Sequence, residues 1–132
     1  MRVVLDTNVI VAAFAARGLC AEVFEVCLIE HSIVISEHIL SEAREKLISK
    51  IRLPQKIVQD VVNYIREQAE VFNPEKMDES ICRDKDGVKI IGTALAGNAG
   101  FIITGDEDLF ILKKYKDIEI VTPREFWRRL KG

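Results

Sequence analysis

Asp6 ends the apolar run "RVVL" (residues 2–5), and Asp106 follows "FIIT" (residues 101–104) after one glycine, with Asp108 close behind. Both runs read as short buried strands. A carboxylate at the end of a buried strand is costly unless compensated, and two of them about 4 Å apart repel by about 4 kcal/mol at an effective dielectric of about 20. A divalent cation removes that penalty. Hard cations such as Mg²⁺ take oxygen ligands, bind through one or two carboxylates and polarise phosphoryl oxygens while activating water, which is the chemistry of phosphodiester hydrolysis. Each aspartate alone also reads as the N-cap of a following helix, and Thr7 and Asn8 as plain turn and capping residues. The same ending on two separate strands favours a site.

The elements that must position these acids follow from the apolar pattern. After the strand at 2–5, a helix is expected over 9–16 and an amphipathic one over 20–31, with Val23, Phe24, Cys27 and Leu28 at helical spacing. "SIVIS" (32–36) reads as a second strand, and Ser36 as the cap of a helix whose apolar face carries Ile39, Leu40, Ala43 and Leu47. Pro54 suits the first turn of another helix, with apolar positions running from Ile57 to Phe72. Residues 73–87 form a polar, turn-rich loop. A small-residue helix is then expected from Val88 to Ala96, a strand at 101–104, a short helix over 107–113, a fourth strand "IEIV" at 118–121, and a last helix from Pro123 with Phe126 and Trp127 on its core side. Short, uniformly apolar strands alternating with helices predict a parallel sheet covered on both faces. Ligands bind such sheets beyond the carboxyl ends of the strands, where Asp6 and Asp106 would meet.

On the helix after Ser36, Glu37 and Glu42 lie at opposite borders of the apolar face and Glu45 points away, so periodicity does not choose between the first two. Glu37 sits in the first turn, where the helix dipole accounts for it.

The composition, 132 residues with 48% apolar and 30% charged, is that of an ordinary folded globule, and a single domain over 1–132 is expected. A net charge of −2 gives no overall attraction for a polyanion, so contact with nucleic acid needs a local basic patch. Cys20, Cys27 and Cys82 have no metal-finger spacing and read as reduced core thiols. With neither a signal-peptide pattern nor an 18-residue apolar run, a cytoplasmic location without membrane contact is expected.

Three segments in order, "VVLDTNVIVAAF", "VISEHILSEAREKL" and "CRDKDGVKIIGTALAGNAGFIITGDEDL", make the chain resemble a PIN domain. This is the small metal-dependent ribonuclease fold of many toxin–antitoxin toxins and of RNA-processing factors. The resemblance implies a three-layer α/β/α sandwich with a central parallel sheet, bound Mg²⁺ or Mn²⁺, homodimers and a small antitoxin partner. Carried over by position, it makes Asp6, Glu42 and Asp106 metal-binding or catalytic acids, choosing Glu42 over Glu37, with Asp108 an extra member. The slot for the family's third acid falls on Gly87, with Asp86 just before it and Asp84 three before. Asp86 takes that role only if it turns inward through a shifted first turn.

The function expected on this resemblance is metal-dependent endoribonuclease cleavage of single-stranded RNA, with Asp6, Glu42, Asp86 and Asp106 as the catalytic set. Asn8 and Thr104 would orient acids or water. Lys85, Lys89, Lys113 and Lys114 are candidate phosphate contacts, although exposed lysines also read as a solvated surface. Gly87 favours a second reading, a non-catalytic module that binds RNA or a protein. A receiver-like or phosphatase-like domain using Asp6 as nucleophile is disfavoured, since Asn8 stands where a haloacid-type motif needs its second Asp and no paired acids precede Asp6. An EF-hand starting at Asp84 is rejected, because Lys89 falls where the loop needs glycine and Leu95 where it needs Glu.

Overall fold

The computed structural model describes residues 1–131, the side chain of Lys131 excepted. Among these residues six strands form one sheet: β1 (Arg2–Leu5), β2 (Ser32–Ile35), β3 (Glu70–Val71), β4 (Phe101–Ile103), β5 (Lys114–Tyr115) and β6 (Ile118–Val121), in the order β3-β2-β1-β4-β6-β5. All neighbours are parallel except β5, which pairs antiparallel with β6 at one edge. The central strands are buried along their length, with Val3, Val4, Leu5, Val34, Ile35, Ile102 and Ile103 shielded from solvent, as expected of a sheet covered on both faces.

Among the described residues seven helices flank the sheet: α1 (Thr7–Ala15), α2 (Leu19–Glu30), α3 (Glu37–Ser49), α4 (Gln55–Gln68), α5 (Lys85–Ala96), α6 (Glu107–Phe110) and α7 (Pro123–Lys131). The helix α1 packs on α2 and α3, α3 packs on α4, and α5 lies across β1, β2 and β4. The parallel sheet covered on both faces that the apolar pattern predicts is observed, as the sandwich that the resemblance implies. The close seat of α5 depends on the glycine that ends it: a Cβ at Gly97, just past Ala96, would overlap Val34 Cγ1 and crowd Phe72. Phe126 is buried in the core and Trp127 packs half-buried against it.

Several boundaries differ from the sequence reading. The helix after Pro54 stops at Gln68 rather than continuing to Phe72, because residues 70–71 pair with β2 and the Phe72 N–H donates to the Ile35 carbonyl at 2.8 Å. That pairing covers backbone groups β2 would otherwise expose at a sheet edge. The expected helix over 107–113 ends at Phe110; Lys113 then turns through a left-handed φ of 61° and residues 114–115 become β5. The helix α5 begins at Lys85, three residues before the expected Val88, because Asp84 caps it by accepting the Asp86 N–H at 3.0 Å. Inside the expected loop, Glu79–Ile81 forms a 3₁₀ turn. The first helix starts at Thr7, directly behind its cap Asp6.

Register then fixes the acids. Leu5 pairs with Ile103 and Ile103 with Val121, so the three strands end level. The ladder extends one residue further, with the Asp6 N–H donating to the Ile103 carbonyl and the Thr104 N–H to the Val121 carbonyl, each at 2.9 Å. Asp6 and Thr104 thus stand side by side at the carboxyl edge of the sheet.

Candidate functional site

Two strand ends meet through one hydroxyl. Thr104 Oγ1 donates to Asp6 Oδ2 at 2.6 Å and accepts the Asp106 backbone N–H at 2.9 Å. The other Asp6 oxygen accepts the Thr7 N–H at 2.6 Å, so Asp6 is a helix cap and a member of the acidic group at once. Asp106 is likewise a cap, accepting the Asp108 N–H at 3.0 Å. Capping uses one Asp6 oxygen and the Thr104 hydroxyl holds the other, so the cap role and a place in the acidic group are compatible. Asp108 contributes that N–H, and its carbonyl accepts the Cys82 thiol at 3.5 Å.

Asp6 is only 7% exposed. Burial pushes its carboxyl above the usual aspartate range, and Asp106 pushes in the same direction; the Thr104 and Thr7 hydrogen bonds and the charge of Lys46 oppose that shift. The neighbouring Thr7 hydroxyl is buried with no hydrogen-bond partner among the described residues.

A second group comes together between α3 and α5. His38 Nε2 lies 2.9 Å from Glu42 Oε1, one helical turn away, and 3.2 Å from Asp86 Oδ1. Burial raises the Glu42 carboxyl and the nearby Asp86 carboxyl adds to it, while His38 and Lys46 counter the effect. Lys46 therefore acts electrostatically on both groups, and its ammonium donates to Asn8 Oδ1 at 2.9 Å. Asn8, read from the sequence as orienting an acid or a water, is thus tied to the lysine that sits between the two groups. His38, Glu42 and Lys46 recur at i, i+4 and i+8 on one face of α3. That spacing is visible in the sequence, but His38 and Lys46 lie neither on the apolar stripe nor among the acids, so periodicity and charge give them no signal.

Glu37, the competitor of Glu42, is exposed and paired with Arg66 of α4. A cavity of about 790 Å³ opens beside His38 and Asp86, and both Lys85 and Lys89 line it. Lys113 and Lys114 are exposed at the turn into β5, the outermost strand, and do not line that cavity.

The PIN domain family model matches residues 2–108, a span that holds every acid described above. The chain belongs to the PIN domain family. This PIN domain is also similar in fold to a solved chain described as VapBC2 from Rickettsia felis bound to a DNA fragment from their promoter, with a TM-score of 0.65 at 16% sequence identity. The alignment covers 92% of this chain and 98% of that one. No curated protein matches the sequence.

Within the PIN domain the slot expected to hold a third acid is Gly87, and it is filled from elsewhere. A Cβ on Gly87 would lie 2.5 Å from Cys82 Sγ and 3.2 Å from the Leu109 side chain, so no side chain fits there as the chain is packed. The Cys82 thiol is buried, and its pKa is raised by that burial, opposed by a hydrogen bond from the Asp84 backbone and reinforced by the carboxylates of Asp106, Asp84 and Asp108. Asp86 reaches the cleft through the early start of α5, beside Glu42, while Asp84 is occupied as the cap. Cys20, Cys27 and Cys82 are all free thiols, and burial pushes Cys27 up to about 12.

Among the described residues no helix is long and apolar enough to cross a membrane.

Proposed function

We propose that this PIN domain is a divalent-metal-dependent endoribonuclease that hydrolyses single-stranded RNA, and that it acts in the cytoplasm as the toxin of a toxin–antitoxin pair. The observation that carries this reading is the burial of Asp6 beside Asp106 at the carboxyl edge of the sheet, with its carboxyl pushed up by desolvation. A carboxylate is held there at a cost that a bound cation would offset.

The donors fit such an ion. Asp6, Asp106 and Asp108 offer only oxygen, which suits Mg²⁺ or Mn²⁺, and the unpartnered Thr7 hydroxyl is a polar atom that hydration of the site would satisfy. When bound, the ion supplies Lewis acidity toward a phosphoryl oxygen and lowers the pKa of a water. The chain's own residues do the rest. Thr104 fixes the Asp6 carboxylate and the Asp106 backbone in one orientation, and Glu42 and Asp86, tied to that group through the charge of Lys46, are the candidate acceptors for the proton that an attacking water must lose. Lys85 and Lys89, on the cavity wall, are placed to pair with substrate phosphates; Lys113 and Lys114 would serve only a strand running on past β5. A small antitoxin protein and a second copy of the chain are the proposed partners, in keeping with the VapBC2 likeness in fold.

The test is incubation of the purified protein with mixed single-stranded RNA and Mn²⁺ or Mg²⁺, beside an EDTA control and a folded Asp6→Asn variant. Metal-dependent cleavage lost in the variant supports the nuclease. Absence of cleavage on any sequence, with the fold intact, turns the reading to a non-catalytic module, which the blocked Gly87 slot favours.

A further inference from the structure

The cavity of about 790 Å³ takes in a chain segment that the proposed cleavage does not use. The segment between β3 and α5, from Pro74 to Glu79, forms one wall, and the first two turns of α5 form the other. The first wall is pressed onto the helix. The Glu75 N–H donates to the Gly92 carbonyl at 3.0 Å, and a Cβ on Gly92 would lie 2.5 Å from the Glu75 carbonyl oxygen and 3.2 Å from Pro74 Cβ. Glu75 therefore stands on backbone whose position α5 fixes.

Apolar and charged groups share these walls. Pro74, Met77 and Val88 supply apolar surface, Lys76, Lys85 and Lys89 supply cations, and Glu75 and Glu79 supply carboxylates. Among the described residues none of these five charged side chains has an ion-pair or hydrogen-bond partner. Lys85 also occupies the first turn of α5, where the helix dipole disfavours a cation, so stability of the fold does not account for it. An apolar-floored cavity on which a few unpaired polar groups converge has the character of a ligand site.

Such walls suit a ligand with anionic groups, a flat apolar ring and hydrogen-bond donors on one edge. Lysines at a helix N-terminus take phosphates, the Met77 thioether packs well against an aromatic ring, and an ionised glutamate can only accept hydrogen bonds. A nucleotide of single-stranded RNA has all three features. Among the four bases, guanine alone offers one carboxylate two adjacent donors, N1–H and the 2-amino group. Adenine and cytosine set a ring-nitrogen acceptor beside their amino group, and uracil has one N–H between two carbonyls. We propose that this cavity is a base-recognition subsite and that Glu75 selects guanine there. The inference rests on the proposed action on RNA and is independent of the metal chemistry.

The experiment uses the full-length protein in EDTA, so that binding is read without cleavage. Labelled RNAs of sequence UUGUU, UUAUU, UUCUU and UUUUU, and a version of the first with inosine in place of guanosine, are titrated and followed by fluorescence anisotropy. UUGUU is expected to bind about fivefold or more tighter than the other three natural sequences, the scale of one bidentate base contact, and the inosine RNA, which lacks the 2-amino group, should lose most of that gain. Glu75→Gln, an exposed substitution, should abolish the preference and leave UUUUU affinity within about twofold of native. Equal or undetectable binding of all the RNAs overturns the proposal, as does a preference kept in Glu75→Gln or lost only in Glu79→Gln.

Methionine methyl resonances of the native protein provide a readout that needs no variant, since the chain has only two methionines, Met1 and Met77. UUGUU is expected to shift the Met77 methyl and leave that of Met1 in place; an unmoved Met77 resonance overturns the proposal. Guanine-selective binding without metal-dependent cleavage would overturn the proposed nuclease activity alone. Cleavage that is indifferent to guanine, in a protein whose Met77 does not respond, would overturn this inference alone.

Discussion

Thr104 Oγ1 bridges the ends of two strands, donating to Asp6 Oδ2 at 2.6 Å and accepting the Asp106 N–H at 2.9 Å. A hydroxyl is the one small side chain able to do both at this spot, and all three groups lie where parallel strands finish level. Thr104→Val keeps the shape and removes both bonds. It is expected to cost about 2 kcal/mol, the usual scale for losing a hydrogen bond to a charged group. Urea unfolding should show a lower midpoint, and Thr104→Ser, which keeps the hydroxyl, should recover most of it; equal stability of native and Val proteins would sink this account.

Asp6→Asn should unfold no more easily than the native chain at neutral pH without metal. The sign follows from the raised carboxyl: its contribution to stability is greatest below the unfolded-state value of about 3.9 and is lost as pH rises through the higher folded-state value. Asn carries no charge to desolvate, so the variant escapes that loss. Thermal unfolding of both proteins in EDTA should show the variant gaining on the native chain as pH rises from about 4 to 7. Added Mn²⁺ should raise the native melting temperature more than that of the variant.

Gly87→Asp, which restores an acid at the family's usual slot, is expected to destabilise the protein by about 1–3 kcal/mol, because its Cβ would lie 2.5 Å from Cys82 Sγ. Cys82→Ala clears that contact. The double variant should be more stable than the two single effects added together, with a coupling of about 1 kcal/mol or more in a double-mutant cycle. Strict additivity would mean that the thiol is not what occupies the slot.

Lys85→Ala and Lys89→Ala should each weaken binding of a single-stranded RNA oligomer and flatten its salt dependence by about 0.7 in the slope of log K against log salt. Lys113→Ala and Lys114→Ala should leave both unchanged, since neither lysine lines the cavity. Fluorescence anisotropy on an Asp6→Asn background separates binding from cleavage.

Much of this molecule is determined locally. The β-branched runs at residues 2–5, 32–35, 101–103 and 118–121 carry their own preference for buried parallel strands, and each leads within three residues to the cap or start of a helix. Strand, turn and helix in that order bring Asp6 and Asp106 to one edge of the sheet, and nothing beyond period and capping is needed to see it.

Other features exist only after packing. Residues 70–71 leave the helical pattern because β2 presents an unpaired edge, and 114–115 because β6 does, so neither short strand has a signal of its own. The wheel of α3 does not choose between Glu37 and Glu42; only packing pairs Glu37 with Arg66 of α4 and brings Asp86 of α5 near Glu42. Gly87 read as a missing acid, but the thiol that fills its place comes from Cys82, five residues earlier, across a turn whose path no periodicity predicts. The sequence by itself determined which side chains reach the end of the sheet, because strand and helix geometry are local. Which of them touch was decided only by the tertiary structure, since contacts between helices depend on what fills the space between them.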